Sequence, residues 1–210
     1  MMISPETYYR NTLEGQSPEF ILRQIHSLRR EIRRLIRLME TDPLNPEAMR
    51  MPNLMTRIQC SREYLQMAAK AYAKTGQTLE PTKTELKDAA FNARLPQMRK
   101  LTVERNGTRL TATFSGEKIQ VMKECLSGPE TGKAEPFLLG YTFPEFVKSL
   151  ERLHMGEWKK TYSPPGNAPD TEWNLCIEYE GDEKPCTMKG QNAEPYNFCS
   201  LMDLLRGHFW

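Results

Sequence analysis

Arginine is concentrated in one stretch of this 210-residue chain, between Ser17 and Glu40. The stretch reads SPEFILRQIHSLRREIRRLIRLME, and six arginines fall within fifteen of its residues: Arg23, Arg29, Arg30, Arg33, Arg34 and Arg37. In a helix, Arg23, Arg30 and Arg37 would share one ridge, because seven residues make about two turns. Guanidinium groups bind carboxylates and phosphates in a two-pronged geometry that lysine does not offer. The six residues therefore predict a binding surface, called here the arginine face.

The arginine face has a second interpretation, as the solvated outer side of a paired helix. The acids nearest to it, Glu31 and Glu40, are too few to balance six positive charges. The whole chain carries a net charge of only +2: residues 1–95 hold 15 Lys and Arg against 11 Asp and Glu, and residues 96–210 hold 14 against 16. Bulk charge thus indicates neither nucleic acid nor membrane, and the binding interpretation depends on the arginine face alone.

The other residue types that carry chemistry are dispersed along the chain. The three histidines show no HExxH or HxH spacing, and the five cysteines include no CxxC pair. Three cysteines are the best candidates for zinc, since a hairpin and a helix could bring them together: Cys176, Cys186 and Cys199. Cysteine is more often a small buried apolar residue, however, and no spacing constrains a Cys/His nucleophile. We expect no catalytic residue, no metal and no cofactor, and hence a non-enzymatic protein.

Two apolar patterns at helical spacing predict the element that holds the arginine face. The first pattern is an apolar seam on the other side of the same stretch: Ile21, Ile25, Leu28, Ile32, Leu35 and Met39. The second repeats the four-three spacing between residues 53 and 75: Leu54, Ile58, Ser61, Leu65, Ala68 and Tyr72. Ser17-Pro18-Glu19 favours a helix start and Asp42-Pro43 a helix end. A short connector with three prolines joins the two, which predicts an antiparallel, coiled-coil-like helical hairpin.

Beyond residue 96 the apolar period changes from 3.6 to 2, which is typical of strands. Asn106-Gly107 predicts a type I′ turn that pairs Val103 with Leu110. A second turn at Ser115-Gly116 is expected to bring Ile119 opposite Ala112. Further strands are predicted near residues 173–179 and 186–188, and helices are predicted to start at Thr142, within a TFPE capping box, and at Asn197, as an N-cap.

The predicted fold class is α+β. Residues 1–76 form the helical hairpin with an N-terminal arm, residues 77–96 a linker, and residues 97–210 an antiparallel sheet of about five strands with two packed helices. The first residues lack the charged and apolar regions of a signal peptide, and no apolar run reaches the length of a membrane span. The odd number of cysteines argues against a disulfide framework, so we expect a cytoplasmic protein with reduced thiols.

Two stretches resemble small uncharacterised accessory proteins of mobile genetic elements in gut Firmicutes. They are SPETYYRNTLEGQSPEFILRQIHSLRREI, near the start, and TEWNLCIEYEGDEKPCTMKGQNAEPYNFCSLMDLL, near the end. The signature is W-x-L-x-I-x-Y followed by G-x-N-A-x-P-x-N-F-x-x-L, here from Trp173 to Leu201. The resemblance covers about a third of the chain and brings no assigned chemistry. It implies a non-enzymatic accessory protein, in a setting that includes anti-CRISPR inhibitors.

The leading hypothesis from the sequence is a protein that binds a protein or ribonucleoprotein partner through the arginine face. Its concrete form is a mobile-element inhibitor of a host nucleic-acid-targeting machine such as a CRISPR nuclease. The alternative is a module that binds DNA or RNA directly through the same arginines. No membrane partner is expected. The sequence leaves homodimerisation open, because Leu22, Ile36 and Met55 remain as apolar residues at the hairpin edge.

Overall fold

The computed structural model describes residues 3–42, 45–47, 51–163, 171–181 and 184–207. The fold class is α+β, as predicted, and the chain divides into two compact units, Met1–Pro81 and Thr82–Trp210. The sequence also predicts a docked aromatic tail at residues 208–210 and a single helical turn at residues 47–51. The tail lies wholly, and the turn partly, outside the described residues.

The first unit is helical. Its elements are α1 (Pro5–Tyr8), a π-helical segment (Tyr9–Leu13), α2 (Pro18–Thr41) and α3 (Leu54–Lys74). The Ser17 hydroxyl accepts a hydrogen bond from Phe20 N, and the Asn53 side chain accepts one from Thr56 N. These side chains satisfy amides that the first helical turn leaves unpaired, so the predicted helix starts are confirmed.

The two long helices bury their apolar patterns against each other. On α2 the buried residues are Ile21, Ile25, Ile32 and Leu35, whereas Leu28 and Met39 are half-buried. Ile21 and Ile25 share a core cluster with Ala68, Ala71 and Tyr72 of α3. Farther along, Glu31 of α2 pairs with Arg57 near the start of α3. The beginning of α2 therefore lies beside the end of α3.

The N-terminal segment docks on α3 through tyrosines. The rings of Tyr8 and Tyr64 stack with their centroids 4.4 Å apart. The Tyr64 hydroxyl donates to Ile3 O at 2.6 Å and accepts from Ile3 N at 3.1 Å. Leu13 completes the same core at 2% exposure. The N-terminal segment thus adds apolar contacts to a core that is otherwise formed by α2 and α3.

The second unit contains a sheet and three α-helices. The helices are α4 (Lys83–Asn92), α5 (Phe143–Arg152) and α6 (Phe198–Leu205), with 3-10 turns at Leu95–Gln97 and Met155–Glu157. The strands are β1 (Met98–Arg105), β2 (Thr108–Ser115), β3 (Lys118–Cys125), β4 (Ala134–Leu138), β5 (Thr161–Tyr162), β6 (Glu172–Tyr179) and β7 (Cys186–Gln191). Capping boxes start α4 and α5, because Thr82 pairs with Glu85 and Thr142 with Glu145 in the required reciprocal way.

The sheet has seven strands in the order β4-β3-β2-β1-β6-β7-β5, so the prediction of about five strands was wrong. The two missed strands carry weak local signals. β4 contains Pro136, which cannot donate a ladder hydrogen bond, and β5 is only two residues long. The sheet is also mixed rather than antiparallel, because β5 pairs with β7 in parallel.

The pairing of β1 with β2 follows the prediction, whereas that of β2 with β3 differs from it. Val103 lies opposite Leu110 across the Asn106-Gly107 turn, as expected. In the next hairpin, Ala112 lies opposite Val121 rather than Ile119. The turn residues are Gly116 and Glu117, because Gly116 supplies the positive φ of 60° and Ser115 still pairs with Lys118. The predicted register was wrong by two residues, a slip that keeps each side chain on its predicted face.

The core of the second unit lies between one face of the sheet and its helices. Leu101, Val103, Ala112, Ile119 and Val121 are fully buried there and belong to one cluster with α5 and α6. The aromatic residues of the second half mostly contribute to this core rather than to an exposed stacking surface. The buried ones are Phe146, Trp158, Tyr162, Trp173, Tyr179 and Phe198.

Asn197 has a different role from the predicted one. It stands at the N-cap position of α6, but its side chain makes no capping hydrogen bond. It is 3% exposed, accepts from Trp158 Nε1 at 3.0 Å and donates to Leu153 O. The prediction of an Asn197 cap was wrong because two buried polar groups elsewhere in the core need this amide.

Candidate functional site

Four of the predicted arginines line one shallow depression on α2, about 270 Å³ in volume. This arginine groove is formed by Arg30, Arg33, Arg34 and Arg37. The four residues come together because positions three, four and seven apart lie on one helix face. The opposite side of α2 buries the apolar seam, which fixes the rotation of the helix and turns these arginines outward.

Arg34 is neutralised by two carboxylates. Its guanidinium donates to Glu31 at 2.8 and 2.9 Å and to both oxygens of Glu47 at 2.7 Å. Arg57 adds a second cation, 2.9 Å from Glu47. The two guanidiniums lower the pKa of Glu47 to about 2, and the two carboxylates raise the pKa of Arg34. Arg34 therefore lines the groove without adding net positive charge to it.

Glu47 reaches Arg34 because of a short turn after α2. Asn45 N donates to Asp42 O at 3.1 Å, and Glu47 N donates to the Asn45 side chain at 2.9 Å. This turn brings a carboxylate from beyond the helix end back beside the helix. The sequence interpretation counted only the acids within the arginine stretch and missed Glu47.

Arg30, Arg33 and Arg37 carry the uncompensated charge of the groove. All three are exposed, and within the described ranges no carboxylate lies within ion-pairing distance of them. Arg33 Nε donates to Arg29 O at 3.2 Å, which orients its side chain along the helix. Seven residues separate Arg30 from Arg37, so their backbone positions lie roughly 10 Å apart. The three side chains can approach an extended row of anionic groups.

The other two predicted arginines lie outside the groove lining. Arg29 is half-buried and donates to Glu80 O at 3.2 Å. The Arg23 guanidinium sits 5.9 Å from the centroid of the Phe20 ring on the same helix. The structure thus leaves three arginines of the groove without a carboxylate partner among the described residues, and gives the other three a carboxylate, a carbonyl oxygen or an aromatic ring as a contact within the first unit.

A histidine–carboxylate cluster in the second unit was not predicted. His154 Nδ1 lies 2.7 Å from Asp88 Oδ2. One potential ligand atom from each of Asp88, His154 and Glu157 lies within 4.8 Å of the other two. Asp88 is on α4 and 6% exposed, whereas His154 immediately precedes the 3-10 turn after α5 and Glu157 is the last residue of that turn. Within the described part of the chain, this is the only such set of three metal-capable side chains.

Close backbone packing holds this cluster together. His154 adopts a left-handed conformation with φ of 49°. Gly156 lies so near α4 that a Cβ atom there would stand 2.4 Å from Asp88 Cα and 2.8 Å from Phe91 Cβ. Only glycine permits this approach, which sets the His154–Glu157 turn directly against Asp88.

The three candidate cysteines, Cys176, Cys186 and Cys199, do not form a ligand set in the structure. Cys176 is on β6 and Cys186 on β7, where Cys186 lies opposite Ile177, the neighbour of Cys176. Successive strand residues point to opposite faces, so the two thiols lie on different faces of the sheet. Cys199 is exposed on α6. Burial raises the pKa of the Cys186 thiol, which disfavours the thiolate that zinc needs.

The sequence contained only part of the signal for the histidine–carboxylate cluster. His154 and Glu157 form an H-x-x-E pair at helical spacing, but Asp88 lies 66 residues before His154. No local pattern connects α4 with the turn after α5, so the cluster depends on tertiary packing.

A second concave surface of the second unit, about 630 Å³ in volume, lies where β1 ends and β2 begins. Arg105, Lys123 and Arg206 line it together with Leu110 and Phe137. Arg105 pairs with Glu194 at 2.8 Å, so part of its charge is already compensated.

Among the described residues, no helix combines the length and apolarity that a membrane crossing requires. Comparisons with protein-family models, with curated proteins and with solved structures give no match for this chain.

Proposed function

We propose that the protein is a non-enzymatic interaction protein that holds an anionic partner, a protein or a ribonucleoprotein, in the arginine groove. The observation that carries the proposal is the set of three exposed arginines in that groove, Arg30, Arg33 and Arg37, which face no carboxylate among the described residues. Like charges three and four residues apart destabilise an isolated helix by about 0.2–0.5 kcal/mol per pair. An anionic partner would relieve this repulsion.

The chemistry of the groove supports a partner with planar or multidentate anions. Arginine keeps its charge at all physiological pH values and presents a fixed fork of donors. The groove contains no lysine. Carboxylate clusters on a protein and phosphates of a bound guide RNA both satisfy this geometry. The proposal includes the predicted helical hairpin of α2 and α3 as the rigid support for the groove.

A narrower form of the proposal is a mobile-element inhibitor that blocks a host nucleic-acid-targeting nucleoprotein such as a CRISPR nuclease. Its support is the resemblance of the two end stretches to mobile-element accessory proteins. The proposal assigns the protein to the cytoplasm, where its cysteines would remain reduced. Affinity capture from a host that contains the candidate nucleoprotein tests this form, with the R30A/R33A/R37A variant as the comparison.

Direct binding to DNA or RNA is the second candidate function, and the same three arginines favour it. Here the free nucleic acid would be sufficient, whereas the leading proposal requires a protein surface in the partner. Binding that neutralises about three phosphates of duplex DNA should weaken with salt at a log–log slope near −2.7. Titration of labelled duplex DNA and single-stranded RNA at several salt concentrations measures this slope. If neither binds at low salt, direct nucleic-acid binding is excluded.

Homodimerisation remains a separate proposal. Leu22, Ile36 and Met55 at the predicted hairpin edge are half-buried, so each retains apolar surface that a second copy could cover. Sedimentation equilibrium over a range of protein concentrations tests it. A single species with the mass of one 24.4 kDa chain at all concentrations would contradict it.

A further inference from the structure

We propose that Asp88, His154 and Glu157 bind a divalent first-row transition metal ion, with Zn²⁺ as the representative. One ligand atom from each side chain lies within 4.8 Å of the others, so a small rotation of the side chains places all three around one cation. This site lies in the second unit and is independent of the arginine groove.

The donor types select the class of metal. One imidazole nitrogen with two carboxylates suits zinc and its first-row neighbours, whereas Mg²⁺ and Ca²⁺ prefer oxygen donors alone. Three protein ligands would leave a fourth position for water or another ligand. The three cysteines that the sequence indicated for zinc play no part in this site.

A buried acceptor oxygen of the cluster supplies an independent argument for a cation. Asp88 is more than nine-tenths buried, and its second carboxylate oxygen, Oδ1, has no hydrogen-bond partner among the described residues. Asn92 follows one turn later on α4, and its side-chain oxygen is likewise buried without a partner in that part of the chain. Asn92 Nδ2 donates to Asp88 Oδ2 at 3.5 Å, so the amide nitrogen rather than the oxygen faces the carboxylate. Acceptors that are removed from water need a donor or a cation, and Asp88 Oδ1 belongs to one of the three proposed ligands.

The backbone around the site is built rigidly. The Thr82–Glu85 capping box fixes the start of α4 ahead of Asp88. On the other side, the close approach of Gly156 and the left-handed conformation of His154 hold the ligands of the turn in position. Ligands that are held in place before the metal arrives lose less conformational freedom on binding. The 2.7 Å contact between His154 Nδ1 and Asp88 Oδ2 already brings two of the three donor groups together.

The test is calorimetric titration of the full chain with Zn²⁺ under reducing conditions, next to three variants. H154N removes the imidazole but keeps a residue type that tolerates a left-handed conformation. E157Q removes one carboxylate charge. H26N is the matched control, because His26 is exposed on α2 in the other unit. We expect one Zn²⁺ per chain, at least tenfold weaker binding in H154N and in E157Q, and unchanged binding in H26N.

Cobalt spectroscopy and thermal unfolding complete the test. Co²⁺ bound at this site should show weak ligand-field bands without thiolate-to-cobalt charge transfer. In thermal unfolding, Zn²⁺ should raise the Tm of the wild type and of H26N, but not that of H154N. Circular dichroism establishes whether each variant is folded. If H154N is not folded, the zinc affinity of E157Q is compared with that of the wild type instead. The proposal is overturned if the wild type binds no stoichiometric zinc, if H154N and E157Q bind as tightly as the wild type, or if thiolate charge transfer appears.

Discussion

Arg34 and Glu47 form a two-pronged ion pair: Nη1 of the arginine is 2.7 Å from one carboxylate oxygen and Nη2 is 2.7 Å from the other. Arg57 contacts the same carboxylate, so one acid from the turn after α2 is shared by a cation on each long helix. This arrangement separates Arg34, which helps to hold the first unit together, from Arg30, Arg33 and Arg37, which are exposed and have no ion pair among the described residues.

The shared carboxylate predicts a specific loss of stability in acid. Because its pKa falls from an ordinary 4.5 to about 2 in the folded protein, Glu47 contributes stability that is fully present above pH 4.5 and is lost as the pH falls through about 2. We expect Glu47→Gln to lower the Tm at pH 7 and to flatten the decline of Tm between pH 4.5 and pH 2. Thermal unfolding at pH 7, 4.5 and 3 measures both effects.

Glu63, an exposed acid on α3, supplies the control for this experiment. Glu63→Gln removes the same charge without touching the Arg34–Glu47 pair. A Glu47→Gln protein whose Tm declines with acid as steeply as that of Glu63→Gln would show that the ion pair does not stabilise the fold.

Gly156 predicts a steric effect in the second unit. A methyl group at this position would overlap Asp88 Cα and Phe91 Cβ, which are backbone or near-backbone atoms and cannot rotate away. We expect Gly156→Ala to lower the free energy of unfolding by about 1–3 kcal/mol. Gly140→Ala is the matched control, because no atom lies within 4 Å of a Cβ built there. Chemical denaturation of both variants measures the difference, and equal stability would contradict the close approach of the turn to α4.

Asn197 predicts a cost for unpairing buried polar groups. Its replacement by alanine leaves Trp158 Nε1 and Leu153 O without their partner in the core. We expect Asn197→Ala to lower the free energy of unfolding by about 1–3 kcal/mol. Asn174 is exposed on β6, and Asn174→Ala should change stability by no more than about 0.5 kcal/mol. Tryptophan fluorescence during urea unfolding follows both variants. A neutral Asn197→Ala would mean that the hydrogen bonds do not form.

Features of the fold that depend on local patterns were predictable from the sequence. The helix starts at Ser17 and Thr142 follow from capping residues next to periodic apolar positions. The Asn106-Gly107 turn fixed the register between β1 and β2, because both central residues of a type I′ turn require a positive φ and only this pair offers it. In the second hairpin only Gly116 requires a positive φ. The sequence therefore allowed the two-residue turn to be either Ser115-Gly116 or Gly116-Glu117, and this one-residue choice shifts the pairing of β2 with β3 by two residues.

Features that depend on distant contacts were not predictable. β5 exists only because Tyr162 meets Gly190 on a neighbouring strand. Asp88 meets His154 only after α4 packs on the turn that follows α5. The sequence placed Glu47 in the connector after α2 and gave no sign of its ion pair with Arg34, because that pair depends on the turn that brings Glu47 back beside α2. The arginines were visible as a cluster, but only the folded chain shows that Arg34 is paired with two carboxylates, whereas Arg30, Arg33 and Arg37 have no ion pair among the described residues.

The central claim is that Arg30, Arg33 and Arg37 bind an anionic protein or nucleoprotein partner. The most direct measurement is quantitative capture of a candidate CRISPR nuclease, loaded with its guide RNA, by the wild type and by R30A/R33A/R37A. The control variant, R99A/K118A/K148A, removes three exposed cations from the second unit instead. We predict that the wild type and the control retain the nucleoprotein while the groove variant loses at least nine-tenths of it, or about 1.4 kcal/mol of binding free energy. Equal capture by all three proteins, or equal loss in both variants, would contradict the account.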